Sequence, residues 1–366
     1  MEGYVLSLYP DFSCIADRCP ATCCSGWKIT VDQESYQRFA QLTDDKLRQD
    51  ILANLVEQDG TFRFANRQNG ACAMLDSDGL CRIQRNTQEE MLCQTCRKFP
   101  RITAAISGQK RRTDSLHQET EQDKVVPVHS HQDAVQNQTA ESARSNDFVC
   151  LSLAASCPVV AEYILDARVS WLWMEESGRL RPLLPLQREK LRRMTALPTQ
   201  DGWASISWNA LALFDVFVDL ALDVLEIMVH FPEVPYLEQS FDLYDAEEPD
   251  LTAFGTFFAE TESSWHTFVQ QYLCYRYPSR YLEFQTEDSR ERAQQIQGEL
   301  LLMRIMLCSR FVIRGTCTRT DWMEVLHWVY RFCAHGQTMA EQVHTQFASW
   351  RLDVLQIAYE NVCLKH

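Results

Sequence analysis

Cysteine spacing in the first hundred residues constrains this chain more than any other feature of its sequence. Eight of the 15 cysteines lie there, in two blocks. Four or more thiolates that a fold brings together bind soft metals, either zinc or an iron–sulfur cluster. The sequence therefore predicts a metal centre built from these blocks. The first block is Cys14, Cys19, Cys23 and Cys24, and the second is Cys72, Cys81, Cys93 and Cys96.

The expected cellular compartment favours metal ligation over disulfide bonds. The first residues lack a basic segment followed by a long apolar one, so we expect no signal peptide and a cytoplasmic protein, where thiols stay reduced. The longest apolar stretch, 210–231, is interrupted by acidic residues, so we expect no membrane span. The cysteines in helical sequence are expected to be small buried hydrophobic residues, namely Cys274, Cys308, Cys317, Cys333 and Cys363.

Charge and missing motifs exclude several classes of protein. The net charge of −15 argues against nucleic acid or anionic lipid as the main partner, although it suits a partner that presents lysines. The glycines form neither a dinucleotide-binding fingerprint nor a P-loop, so a Rossmann-type protein and an NTPase are not expected. No zinc-protease helix motif or serine-hydrolase elbow is present, and the sequence identifies no catalytic base.

Composition and periodicity predict three regions and a mainly α fold. Residues 1–106 are expected to form a small Cys-rich metal-binding domain with short strands. The polar stretch 107–147 lacks the apolar residues needed for a core and is expected to be a flexible linker. Apolar residues recur at helical spacing in most of the remainder, including 170–180, so 148–366 is expected to be an all-helical domain.

Local signals predict how the second cysteine block folds. The Asp-Ser-Asp-Gly sequence at 76–79 predicts a turn that brings Cys72 and Cys81 back toward one point. Asp32 is expected to cap a helix after the first block. Thr87 is expected to cap another helix, which would deliver the Cys-x2-Cys pair of the second block near its end.

The sequence favours one type of metal site and a set of candidate ligands, but it leaves both choices open. Only one pair has the Cys-x2-Cys spacing usual in structural zinc sites, and histidines are absent between the cysteines. These features favour an iron–sulfur cluster, expected as [4Fe-4S], with zinc as the alternative. The expected ligands are Cys19, Cys23, Cys24, Cys72, Cys81 and Cys96, with Cys14, Cys93 and Cys157 in reserve; Cys157 precedes a proline at a predicted helix start.

Three motifs together resemble the flagellin lysine-N-methylase family. They occupy 12–29, with its adjacent cysteine pair, 72–83, and 96–101, which reads Cys-Arg-Lys-Phe-Pro-Arg. A broader group of Cys-rich zinc- or iron-chelating proteins shares a shorter version of the pattern. Two later segments, 151–158 and 272–278, are also similar to the family, whereas the polar stretch after residue 106 looks like an insertion.

The resemblance implies an enzyme that transfers a methyl group from S-adenosylmethionine to lysine ε-amines of flagellin. In that case, three cysteines could hold a cluster whose open iron binds S-adenosylmethionine in place of a glycine-rich loop. Alternatively, the metal only stabilises the N-terminal domain. Two other interpretations stay open, a non-enzymatic metal-binding module and a redox protein that uses an iron–sulfur cluster for electron transfer.

Overall fold

The computed structural model describes residues 2–106 (apart from 16, 17, 20–22, 25–27, 59 and 69), 148–196, 251–283 and 289–335. These ranges combine a five-stranded sheet, a three-stranded sheet and long helices. The strands are β1 Glu2–Leu6, β2 Thr30–Val31, β3 Leu55–Gln58, β4 Thr61–Phe64, β5 Arg101–Ile106, β6 Phe148–Leu153, β7 Trp171–Met174 and β8 Leu180–Pro182. The α-helices are α1 Gln33–Ala40, α2 Asp45–Ala53, α3 Arg82–Asn86, α4 Gln94–Lys98, α5 Pro158–Leu165, α6 Pro185–Ala196, α7 Leu251–Glu283, α8 Ser289–Arg314 and α9 Arg319–His335.

The larger sheet has the strand order β5-β6-β1-β7-β8. Strand β1 pairs with β6 in parallel, and the other neighbours are antiparallel. Strands from 2–106 and from 148–182 therefore share one sheet. The division at 106 and 148 into separate domains stays a prediction.

The prediction of a mainly α fold with an all-helical C-terminal domain is wrong. Strands β6, β7 and β8 lie in the region expected to be helical, and 170–180 forms a β-hairpin instead of a helix. Its apolar residues also fit the two-residue period of a strand, because Trp171 and Trp173 are buried while the residues after them are half-buried. Gly178, at φ +80°, permits the turn between the two strands.

Gly3 lies where the backbones of β1 and β6 leave no room for a side chain. A Cβ atom there would lie 1.9 Å from the carbonyl oxygen of Val149. We expect Gly3→Ala to destabilise the protein by at least about 1–3 kcal/mol, because the two backbones must separate. Hydrogen exchange should show lost protection of the β1–β6 amides. Glu57→Ala, at an exposed position of β3 in the smaller sheet, is the control; equal β1–β6 exchange in both variants would contradict this account.

A second, smaller core surrounds the three-stranded sheet β2-β4-β3, and we call it the cysteine core. Asp32 caps α1, as predicted, by accepting a hydrogen bond from the Ser35 N–H at 2.9 Å. Asp44 caps α2 in the same way, through the Leu47 N–H. The buried residues of the cysteine core are Ile29, Val31, Phe39, Leu47, Ile51, Phe64, Cys72, Met74, Ile83, Leu92 and Cys93.

The main core lies between the five-stranded sheet and helices α5 and α7–α9. Helical spacing of apolar residues correctly predicted helices in the region of α7–α9, and α7 continues through Pro278. A buried ion pair, Arg276–Glu299, joins α7 to α8. In the part of the chain that the structure describes, no helix is both long enough and apolar enough to cross a bilayer. The predicted helix over 207–230 lies outside the described residues.

Candidate metal centre

The turn predicted between Cys72 and Cys81 is present. The Asp76 Oδ1 atom accepts hydrogen bonds from the N–H groups of Asp78 and Leu80, both at 2.9 Å. Gly79 follows with φ +77°, a conformation that favours glycine. An antiparallel bridge between Leu75 and Cys81 closes the loop. The local sequence therefore brings the two thiols into one neighbourhood, as a metal knuckle requires.

Two arginines hold the outer side of this turn. The Arg82 guanidinium binds the Asp50 carboxylate through Nε at 2.8 Å and Nη2 at 3.1 Å. Arg67 and Arg82 both donate to the Leu75 carbonyl oxygen, and Arg67 also donates to that of Ala73. Bidentate arginine–carboxylate pairs are geometrically specific, so the Asp50 pair fixes Arg82 relative to α2.

The adjacent pair Cys23 and Cys24 lies beside this turn. The Cys72 N–H donates to the Cys24 carbonyl oxygen at 2.7 Å, which holds the first cysteine block against the second. Because the side chains of adjacent residues point in different directions, Cys24 approaches the turn while Cys23 also interacts with Cys14 and Cys19. The spacing of the sequence did not show which member of the pair faces which neighbour.

Helix α4 carries the Cys-x2-Cys pair and begins just after Cys93. The prediction of one helix capped by Thr87 is wrong, because a 3₁₀ turn at Glu89–Met91 ends before α4 starts. Asp32 starts α4 as well as α1, since its Oδ2 atom accepts from the Gln94 N–H at 3.0 Å. This second role of Asp32 joins residues 62 apart in sequence, so helix-cap patterns alone did not reveal it.

We expect Asp32→Ala to cost roughly 1–3 kcal/mol of stability, because both helix starts lose their acceptor. Asp32→Asn should recover most of this loss, since asparagine is an equally good cap. Asp44→Ala removes the acceptor of α2 alone and is the matched control. Urea unfolding measures all three variants. If Asp32→Ala is no more destabilising than Asp44→Ala, the cap on α4 contributes nothing.

Electrostatic interactions between the thiols link the nine cysteines into one network, in which we distinguish two sets. The knuckle group, as we call the first set, contains four of the six expected ligands and one reserve. Cys19 and Cys157 interact in the second set, the outer group, and Cys23 lies between the two sets. The knuckle group is Cys24, Cys72, Cys81, Cys93 and Cys96. The outer group is Cys14, Cys19 and Cys157.

Burial keeps several of these thiols protonated. It raises the pKa of the Cys72 thiol to about 12 and that of Cys157 to about 11. A hydrogen bond that Cys96 donates to Cys93 raises the pKa of Cys96 and lowers that of Cys93. Cys23 donates to Cys24 in the same manner, and its pKa is raised. A metal ion that binds thiolates would displace these protons.

Cys157, which follows β6, interacts with Cys14 and Cys19 of the N-terminal block. It is the N-cap of α5, with Pro158 in the first helical position, as the sequence predicted. The Ala154 N–H donates to the Pro100 carbonyl oxygen at 2.7 Å, so the segment before Cys157 contacts the end of the Cys-Arg-x-Phe-Pro motif. Tyr275 of α7 also holds this segment through its hydroxyl group. The segment 272–278 stood out in the sequence, but no motif predicted this contact of Tyr275.

The donor set suits a soft metal by its chemistry, since thiolates are soft ligands and no histidine lies between the cysteines of the two N-terminal blocks. Among the described cysteines, no two are joined by a disulfide. Within the same described ranges, no three Cys, His, Asp or Glu side chains close around a common point at metal-binding distance. The identity of the ligands therefore stays a prediction.

Comparison with known proteins gives three curated relatives, each 32% identical over 111 residues, which is 29% of this chain. One is the flagellar biosynthetic protein FliU of Salmonella muenchen, of which the match covers 65%. The others are lysine-N-methylases of Salmonella typhimurium strain LT2 and Salmonella choleraesuis strain SC-B67, of which it covers 27%. The match thus spans less than two thirds of each relative. No protein-family model and no solved structure matches the chain.

These relatives confirm the resemblance that the cysteine motifs indicated. Over the matched 111 residues, the chain is similar to the flagellin lysine-N-methylase family.

Proposed function

We propose that this protein is a methyltransferase that modifies lysine residues of a flagellar protein, with flagellin as the substrate and S-adenosylmethionine as the methyl donor. The observation that carries the proposal is the 32% identity, over 111 residues, to proteins named lysine-N-methylase. The name of FliU, a flagellar biosynthetic protein, supports the choice of a flagellar substrate. The net charge of −15 also favours a partner that presents lysines.

The reaction places one chemical demand on the protein. The lysine must lose a proton before its nitrogen can attack the methyl group, because only the neutral amine has a lone pair. Its unperturbed pKa is about 10.4, so it is mostly protonated at neutral pH. A pocket that excludes water would lower this pKa, and a carboxylate or tyrosine nearby could accept the proton. The sulfonium group activates its own leaving group, so the transfer to nitrogen requires no radical.

Ligands drawn from the eight cysteines of the two groups and from Cys23 would hold the metal of this enzyme, for which we propose an iron–sulfur cluster with zinc as the alternative. When bound, such a cluster would supply an open coordination position for the amino and carboxylate groups of S-adenosylmethionine. The chain's own residues bring the thiols together: the Asp76 turn, the Asp32 cap and the Arg82–Asp50 pair hold the knuckle group in place.

Intact-mass spectrometry of purified flagellin tests the proposal. Flagellin is incubated anaerobically with the protein and S-adenosylmethionine, and metal and sulfide are measured on the same preparation. We expect methyl-sized mass steps that require both components, and peptide mapping should locate them on lysines. An unchanged flagellin mass with a metal-loaded protein would contradict the proposal. Reversible reduction of a visible chromophore would then indicate a redox protein, and bound zinc a structural metal protein.

A further inference from the structure

The segment that joins β8 to α6, residues 182–186, exposes neighbouring apolar side chains, and we call it the leucine turn. Leu184 is 52% exposed and Leu186 is 82% exposed. In the part of the chain that the structure describes, Val56 is the only other exposed large hydrophobic residue. Both prolines of the turn are exposed as well. Single exposed leucines are common, whereas neighbouring exposed apolar side chains are typical of interaction surfaces.

Hydrogen bonds and one buried side chain hold the leucine turn in a fixed conformation. Leu183 is 5% exposed and packs in the main core. Its carbonyl oxygen accepts a hydrogen bond from the Arg188 Nε atom at 2.9 Å. The Gln187 Oε1 atom accepts from the Leu184 N–H at 2.9 Å, and Arg181 donates to the same oxygen at 3.3 Å. A surface that is already ordered loses little conformational entropy when a partner binds.

Helix stability does not account for the two exposed leucines. Leu184 is the N-cap of α6, because its carbonyl oxygen accepts the first helical hydrogen bond, from the Arg188 N–H at 2.9 Å. Leucine is a poor N-cap, since its side chain cannot accept a hydrogen bond, and serine there would stabilise the start of the helix. Leu186 faces solvent and buries little apolar area. Residues that break local folding rules in this way are expected at functional sites.

The leucine turn lies in a basic part of an acidic chain. Residues 175–193 include six lysines and arginines against three glutamates, although the net charge of the chain is −15. Two arginines contact the turn through their guanidinium groups, and they differ in charge balance. Arg181 pairs with Glu175 at 3.0 Å, whereas the exposed Arg188 has no carboxylate partner among the described residues. A positive charge is therefore left beside the exposed leucines.

We propose that the leucine turn is a docking surface for an acidic amphipathic segment of a partner protein. Leu184 and Leu186 would bury apolar side chains of that segment, and Arg188 would pair with one of its carboxylates. Strand addition is not expected here, because β8, the last strand of the described sheet, ends at Pro182, which has no N–H group to donate. The partner segment would therefore bind through its side chains.

The charge of the whole chain distinguishes a protein segment from larger anionic partners. A bilayer surface or a nucleic acid extends over many charges, so it would also meet the acidic remainder of this chain and be repelled. A short segment contacts the leucine turn alone, because charges farther away than about 8 Å are largely screened at physiological ionic strength. The inference is independent of the proposed methyltransferase function, and its test involves neither metal nor methylation.

Fluorescence anisotropy of the full-length chain with a labelled amphipathic peptide of about 15–20 residues, built from leucine, alanine and glutamate, tests the inference. We expect saturable binding to the wild-type chain and at least about 10-fold weaker binding to Leu184→Ser/Leu186→Ser. This variant should unfold at no lower urea concentration, because serine is the better N-cap. Val56→Ser removes the exposed apolar side chain of β3 and is the control, with wild-type affinity. No binding to the wild-type chain, or equal affinity for the double variant, would overturn the proposal.

The same assay tests the charge and the class of the partner. Arg188→Gln removes the positive charge beside the leucines, so we expect the affinity to fall about 3–10-fold and to depend less on salt concentration. A peptide with glutamine in place of every glutamate should bind the wild-type chain about 10-fold more weakly. Equal binding of the two peptides would exclude an acidic partner. Displacement of the acidic peptide by phosphatidylserine vesicles or by a single-stranded oligonucleotide would assign the surface to a lipid or a nucleic acid instead.

Discussion

The double variant Cys72→Ala/Cys81→Ala is expected to lose the metal of the knuckle group and to unfold the cysteine core. The two thiols flank the Asp76 turn, and both interact with Cys24 and Cys93. Their removal leaves three of five thiols, too few for a closed thiolate site. In small domains, structural zinc contributes about 10–16 kcal/mol of apparent binding free energy, so its loss exceeds the stability of such a core.

Metal analysis and hydrogen exchange measure this effect together. The variant should contain less metal per chain, and the amides of β2–β4 should lose protection, whereas those of β6 and β7 should keep most of theirs. Cys308→Ala/Cys333→Ala is the matched control, because both cysteines are buried, at 2% and 1%, in the main core. It should cost about 0.5–3 kcal/mol per site and leave the metal content unchanged. Equal metal content in the two double variants would exclude a metal site at the knuckle.

Glu299→Gln is expected to destabilise the helical part by about 3–5 kcal/mol, because it removes a buried negative charge that a buried guanidinium binds through two hydrogen bonds. Arg276 donates to the two carboxylate oxygens of Glu299 at 3.0 and 3.1 Å, and the Tyr272 hydroxyl donates to one of them at 2.7 Å. Both charged side chains are completely buried. The pair links α7, which also carries Tyr275, to α8.

A double variant separates the value of this ion pair from the cost of breaking it. Arg276→Met/Glu299→Leu should recover much of the loss, because two apolar side chains bury neither charge. Asp45→Asn breaks a surface pair with Arg48 and should change stability by less than about 1 kcal/mol. Denaturant unfolding gives the free energy of unfolding of the wild-type protein and of the three variants. If Glu299→Gln changes the stability as little as Asp45→Asn does, the Arg276–Glu299 pair is not desolvated in solution.

The sequence predicted well those elements whose hydrogen bonds join residues that are close together in the chain. Asp32 starts α1 and the Asp76 turn closes because each carboxylate binds backbone groups two to four residues away. The 170–180 segment was wrongly predicted as a helix because its short apolar pattern fits both periods, and pairing with β1 decides in favour of strands. Local sequence carries no information about that pairing.

The same limit applies to the candidate site. The cysteine motifs were visible in sequence because thiols are few and closely spaced. The approach of Cys157 to Cys19 depends on the parallel pairing of β1 with β6, which joins residues 146 apart at Glu2 and Phe148. Tyr275 acts through a hydroxyl group that meets backbone atoms 120 and 122 residues away. Such contacts follow from the fold and from no motif.

Native mass spectrometry of the anaerobically purified full-length chain tests most directly whether its cysteines form metal sites. We expect a mass above that of the polypeptide by bound metal, with or without sulfide. We also expect acid to release this excess, and the thiols of the knuckle group to react with an alkylating reagent only after the release. A folded chain that has the bare polypeptide mass, and whose knuckle-group thiols react as fast before acid treatment as after it, would contradict the account.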